Sequence, residues 1–167
     1  CYFHATPIIV DIDPQTINIS IDEIEKHISP KTKVIIPVHY GGLPCDMDEI
    51  MEIASSKGIK VLEDAAHSLP ALYKNRKIGT IGDVTCFSFY ATKTLSTGEG
   101  GMICSNDPEL AKRCSIMRLH GISADVWNRY TENGSWYYEV IAPGYKYNFT
   151  DIQAGLGLAQ LKKLESN

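Results

Sequence analysis

Apolar runs and amphipathic stretches take turns along this chain, and that alternation limits the folds open to it more than any other feature. "TPIIVDID", residues 6–13, reads as a buried strand, and "SIDEIEKHI" as a short helix opened by a capping box from Ser20 to Glu23. "KVIIPVHY" is the next strand. "DMDEIMEIASSKG" is a helix with Asp46 and Glu49 as its box, Ile50 and Ile53 on one face and Gly58 as its stop. "IKVLEDAA", "DVTCFSFYA" and "GGMICSN" follow as strands, and a helix starts at Asp107 with Pro108 in its first turn. Strands alternating with helices imply an α/β three-layer sandwich, its sheet mostly parallel and covered on both faces.

From 120 to 143 the pattern lapses into an aromatic and polar stretch, read as a long loop inside the domain. Order returns at "TDIQAGLGLAQLKKLE", where Thr150 and Gln153 form another capping box, with Ile152, Leu156, Ala159 and Leu164 along one helix face.

Size and charge narrow the function. A chain of 167 residues with 44% hydrophobic content makes a single domain, 1–167, with a core of its own. Sixteen basic and twenty acidic residues leave a net charge of −4 without a basic stripe, which argues against nucleic acid as a partner. No apolar stretch reaches the roughly eighteen residues a membrane span needs, and no basic-then-apolar leader opens the chain, so a cytoplasmic protein without a membrane partner is expected. The five cysteines are scattered and form no CxxC pair, so they suggest reduced thiols, with no metal site and no disulfide framework. The opening "CYFHATPIIVDIDP" lacks a methionine and is apolar at once, as in a piece of a longer protein.

In open α/β sheets ligands sit at the carboxyl ends of the strands. Three polar places follow apolar runs: "VLEDAAHS", with Glu63, Asp64 and His67; "FSFYATK", with Ser88 and Lys93; and the start of the long loop. Asp64 alone reads equally as a cap, and His67 as a surface histidine. The glycines after Lys93 do not form a Walker loop, because there the glycine precedes the lysine, and no GxGxxG opens a helix. Lys93 stands between an apolar strand and a turn of small residues, a setting that suits a partly dry amine. Desolvation would favour its neutral, nucleophilic form, which condenses with carbonyls.

"VLEDAAHS", "GDVTCFSFYATKTLSTGEGG" and "GYKYNFTDIQAGLGLAQLKKLE", in that order, resemble the pyridoxal-phosphate sugar aminotransferases of the DegT/StrS type. The resemblance takes in "IIVDIDPQTINI" and "VIIPVHYGGLPCDMDEI" as well, nearly the whole chain. It implies a partial type I aminotransferase large domain, the cofactor-binding part, with pyridoxal 5'-phosphate as cofactor. By resemblance Lys93 is the lysine that holds the cofactor covalently and moves the proton. Asp64 is the carboxylate beside the pyridine nitrogen, His67 lies near the ring and its phenolic oxygen, and Ser88 binds the phosphate. Asn148 reaches the phosphate from a neighbouring subunit, so a homodimer is implied.

The implied reaction moves an amino group, with glutamate as donor, to a nucleotide-linked 4-keto sugar on the way to a polysaccharide or glycoconjugate. "LHGIS", the Trp127 loop and "PGYKYN" are similar to the makers of 4-amino sugars. Two alternatives stand beside it: a sugar dehydratase of the same family, in which histidine replaces the lysine, and a non-catalytic scaffold or sensor. Family chains carry an upstream helix start for the phosphate, a stacking aromatic and a C-terminal small domain. The 167 residues by themselves are therefore expected to fold in part and to lack transamination.

Overall fold

The computed structural model describes residues 4–123 and 137–164. Its main sheet has four strands: β1 (Val34–Ile35), β2 (Lys60–Asp64), β5 (Val84–Ser88) and β6 (Gly101–Cys104), in that spatial order. β1, β2 and β5 run parallel, and β6 joins β5 antiparallel, with Cys86 opposite Ile103. A separate hairpin pairs β3 (Leu72–Tyr73) with β4 (Arg76–Lys77). Its two-residue turn, Lys74 and Asn75, has positive φ at both positions, the geometry that matches the twist of a hairpin.

The helices are α1 (Ile21–His27), α2 (Met47–Ser56), α3 (Pro108–Met117) and α4 (Asp151–Leu161). α2 lays Met47, Ile50 and Ala54 on the sheet, where they bury with Ile24, Ile35, Ile59 and Val61 in the main core. Period-two alternation sends Ile35, Val61 and Thr85 to that dry face. α2 stops at Gly58, whose φ of +64° is costly for any other residue type. α3 begins as expected, the Asp107 side chain accepting from the N–H groups of Glu109 and Leu110 behind Pro108. α4 has the full Thr150–Gln153 capping box and docks on the glycine turn through Gln153, whose Nε2 donates to the Glu99 carbonyl at 2.7 Å.

Several expectations change. Residues 6–13 are not a buried strand: Ile8 and Ile9 are exposed, and Ile12 makes only an isolated bridge to Ile19. A lone extended segment has no backbone partner to make it a strand, and here the chain turns back on itself. Asp13 N–H donates to the Asn18 carbonyl, and Ser20 N–H to that of Asp11. Ile17 sits inside this turn with φ +62°. The strand expected over 33–40 shortens to two residues and a bridge from Val38 to Asp64, because Pro37 has no N–H to donate.

Two of the three capping boxes are incomplete. Ser20 accepts from Glu23 N–H, but the Ser20 N–H is already used by Asp11 and the Glu23 carboxylate pairs with Lys26. Asp46 makes no cap bond, since its carboxylate accepts from the Tyr73 hydroxyl of the hairpin. Nor is the sheet covered on both faces throughout. α3 packs on β6 with Cys114 beside Cys86, while Val34, Ile36 and Val38 stay exposed on that side.

The apolar line expected along the last helix buries only at Leu164, in the turn beyond α4, where it joins Phe89 and Leu95; Ile152 and Leu156 on α4 itself are exposed. The ends of the expected 120–143 loop pair with each other, Ser123 N–H donating to the Glu139 carbonyl and Ile141 N–H to that of Gly121. Residues 124–136, which include Trp127, lie outside the described residues.

Candidate active site

The carboxyl ends of β2 and β5 lie side by side, Asp64 opposite Cys86. Residues opposite each other in register share a face, so Asp64, Cys86 and, two places on, Ser88 point to the less covered side of the sheet. The Asp64 carboxylate accepts from the Ala66 N–H at 3.1 Å and is half-buried. No helix follows, so Asp64 caps only the tight turn that carries the chain to His67.

Beyond Ser88 the chain leaves the sheet at Phe89 and turns at once. Tyr90 N–H donates to the Ser88 hydroxyl oxygen at 3.3 Å, and Lys93 N–H to the Tyr90 carbonyl at 2.9 Å. That turn swings Lys93 back toward Ser88. The two residues line one cleft of about 110 Å³ together with His67, Ala66, Thr92 and Leu95. Lys93 is half-buried and His67 exposed. The cleft is smaller than the few hundred Å³ that normally enclose a small ligand, so these residues form one wall of a site.

A larger cavity of about 460 Å³ lies between α3 and Ile141–Ala142. Leu110, Ile116 and Ile141 give it an apolar floor, with Asp107, Glu109, Lys112 and Arg113 at its edges, and it holds none of the sequence-predicted residues.

The structure therefore gathers His67, Ser88 and Lys93 in one cleft and sets Asp64 on the adjoining strand end. Asn148 is not brought to that cleft. It lies half-buried before Phe149, whose ring meets Phe89 edge-on at 6.5 Å.

Sequence reasoning missed a polar cluster directly behind the site. Glu63 and His39 are both fully buried, with Nε2 of His39 at 2.9 Å from Oε2 of Glu63. Thr85 Oγ1 and Gly82 N–H each donate to the other carboxylate oxygen at 2.7 Å. Cys45 N–H donates to Nδ1 of His39 at 3.1 Å, so the ring carries its proton on Nε2 and donates it to Glu63. Burial pushes the Glu63 carboxyl upward, but the hydrogen bonds from His39, Thr85 and Gly82 outweigh it and hold the group below the ordinary carboxylate range. Gly82 has to be glycine, because a Cβ there would stand 2.9 Å from Glu63 Oε1. The signal was in the alternation: counting by twos from Ile35 and Pro37 reaches His39, and from Val61 reaches Glu63.

The donor set of the cleft suits pyridoxal phosphate. Lys93 would offer an amine to the aldehyde and Ser88 a hydroxyl to the phosphate, and Asp64, on the adjoining strand end, a carboxylate for a protonated ring nitrogen. Among the described residues no group of acids, histidines and cysteines is arranged to hold a metal ion, and no helix is long and apolar enough to cross a membrane.

Comparison with known proteins gives a consistent result. The family model described as the DegT/DnrJ/EryC1/StrS aminotransferase family matches residues 1–167. Uncharacterized protein MJ1066 of Methanocaldococcus jannaschii is 60% identical over 161 residues, 96% of this chain and 42% of that protein. Spore coat polysaccharide biosynthesis protein SpsC of Bacillus subtilis is 56% identical, over 96% of this chain and 41% of its own. Among solved structures, the putative sugar aminotransferase Spr1654 from Streptococcus pneumoniae in its PLP-form superposes with a TM-score of 0.87 at 36% identity. That likeness covers 99% of this chain and 45% of the other. The chain thus spans less than half the length of the relatives it matches.

Proposed function

The chain belongs to the DegT/DnrJ/EryC1/StrS aminotransferase family and has, in part, the type I aminotransferase fold; on that premise we propose that it is the cofactor-binding part of a sugar aminotransferase that uses pyridoxal 5'-phosphate. The observation that carries the reading is the meeting of Lys93 and Ser88 in one cleft, with Asp64 at the neighbouring strand end. When bound, pyridoxal phosphate supplies an electron sink for the bond made labile at the amino-bearing carbon.

The residues divide the work. Lys93 would hold the cofactor through its amine, and that amine would take the proton from the amino-bearing carbon of the donor and return one to the acceptor carbon. Asp64 would keep the ring nitrogen protonated, which would strengthen the sink. Ser88 would donate to the phosphate and His67 would stand by the ring's phenolic oxygen. Asn148 reaches the phosphate of the partner's site, so the working unit is a homodimer. The 120–143 stretch is rich in aromatic residues, which suit a sugar face.

The acceptor is a nucleotide-linked 4-keto sugar, the donor glutamate and the product a 4-amino sugar for a surface polysaccharide or glycoconjugate, made in the cytoplasm. The biosynthetic role named for SpsC and the sugar named for Spr1654 support that class of substrate. The presence of Lys93, where the dehydratases have histidine, favours transfer over dehydration. Lys93 and Asp64 together disfavour a bare scaffold.

The test is borohydride reduction of the full-length protein loaded with pyridoxal phosphate, followed by peptide mapping. Lys93 is the expected attachment point. Attachment at Lys74 or Lys77 instead, or no cofactor-dependent visible absorption, would remove the basis of the reading.

A further inference from the structure

The buried cluster behind β2 does more than join two strands. Glu63 and Asp64 are consecutive, so they face opposite sides of the sheet, Glu63 into the dry core and Asp64 toward the cleft. His39 takes hold of both. Its ring Nε2 donates to the Glu63 carboxylate at 2.9 Å, and its backbone N–H donates to the Asp64 carbonyl at 3.1 Å. The Asp64 N–H in turn donates to the Pro37 carbonyl at 2.9 Å, and the Ala65 N–H to that of Cys86 at 2.9 Å. The peptide groups on either side of Asp64 are therefore held by β1's continuation on one flank and by β5 on the other. The side chain one residue back is locked from behind.

The same histidine also reaches the turn that carries His67, since the Ser68 hydroxyl donates to the His39 carbonyl at 3.4 Å. Its ring is itself fixed by Cys45 N–H at Nδ1. A buried ionised carboxylate is an expensive way to hold a sheet together, because packed apolar residues of similar volume are commonly as stable or more so. What such a fully satisfied cluster provides is one orientation.

We propose that His39 and Glu63 act as positioning residues for Asp64, fixing the rotation of the β2 end so that the Asp64 carboxylate meets the ring nitrogen of the bound cofactor. The proposal rests on the pyridoxal-phosphate reading given above. Neither residue touches the cofactor; both work through the peptide groups flanking Asp64.

Glu63→Gln in the full-length holoenzyme is the direct perturbation. The amide keeps the shape but cannot satisfy its surroundings. His39 already accepts from Cys45 at Nδ1, so its Nε2 keeps the proton, and whichever way the amide is turned its N–H₂ faces an obligate donor, Nε2–H of His39 or the N–H of Gly82. The readout is the ¹⁵N chemical shift of enzyme loaded with pyridoxal phosphate labelled at its ring nitrogen, which reports protonation at that atom directly. Cofactor dissociation constant, kcat and melting temperature are measured beside it.

The expected result is a shift toward unprotonated nitrogen, cofactor affinity weaker by on the order of tenfold and kcat lower by about tenfold to a hundredfold, as small misplacements at a reacting centre produce. Thr85→Val removes one of the three donors at constant volume and should give a smaller change of the same sign. It carries the test if Glu63→Gln does not accumulate folded. A variant with a lower melting temperature but an unchanged ¹⁵N shift and cofactor affinity would show the cluster to be structural only, and would overturn the proposal. Wild-type protein that takes up no pyridoxal phosphate would overturn the functional reading beneath it, a result told apart by arising before any substitution is made.

Discussion

Thr85→Val offers a measure of what the buried Glu63 carboxylate owes to its neighbours. Thr85 is 1% exposed, and its hydroxyl donates to Glu63 Oε1 at 2.7 Å. Valine matches threonine in volume, so the loss is one hydrogen bond to an ionised group, about 1.5–3 kcal/mol. Without that bond burial weighs more heavily on the carboxylate, so the folded-state pKa of Glu63 rises back toward the ordinary carboxylate range. The sign follows from the direction of the native shift. Because the folded carboxyl lies below its ordinary range, its contribution to stability is fully present above the unfolded value of about 4.3 and is lost as pH falls through the folded value. The variant should therefore be less stable by the full amount near neutral pH. The gap between the two proteins should narrow as pH falls through the folded value of the variant and close once it has passed below that of the wild type, where Glu63 is protonated in both. Urea unfolding at constant ionic strength, repeated down that range, gives both numbers. A loss under about 0.5 kcal/mol near neutrality, or one that stays constant into acid, would refute an ionised Glu63 held by Thr85.

Two further outcomes follow from other parts of the chain. Ile17 is β-branched yet sits at φ +62° and is half-exposed, so Ile17→Asn should stabilise the protein by about 0.5–1 kcal/mol; a lower melting temperature would mean that its packing outweighs the strain. Asp64→Asn in the full-length enzyme should leave the melting temperature within a degree or so while lowering kcat on the order of a hundredfold or more, because among the described residues the Asp64 carboxylate bonds only to its own turn. Unfolding with specific activity preserved would make it a turn cap and nothing else.

Much of the scaffold was legible because its signals are local. Asp107 with Pro108, Thr150 with Gln153, and Gly58 each declare a helix end within three or four residues, and all three operate as read. The strands at 60–64, 84–88 and 101–104 were found by the same means. What failed depended on partners far along the chain. Residues 6–13 have the composition of a strand, but a strand exists only beside another. Asp46 looked like a cap until Tyr73, 27 residues on, took its carboxylate. In the site, the Ser88 and Lys93 neighbourhood could be anticipated from a single turn, and Asp64 from the strand end. His39 and Glu63, 24 residues apart, could not be paired by inspection, although Glu63 occupies an inward position of β2 and His39 continues the inward alternation beyond β1. Asn148 is the converse: its expected partner is another subunit, so nothing within one chain brings it to the cleft.

The hairpin has a consequence of a different kind. It is fastened to the first turn of α2 by the buried Tyr73, whose hydroxyl bonds Asp46 and the Asp48 N–H, and by two cations, Lys74 and Arg76, that flank the Tyr73 ring and share the exposed Asp48 carboxylate. Ions in solution compete with the second attachment and leave the first untouched. Rising salt would therefore slacken the hairpin tip while the dry junction of β2 and β5 stays closed, so that the molecule yields to its ionic surroundings at one margin and remains indifferent to them at the strand ends where the cleft begins.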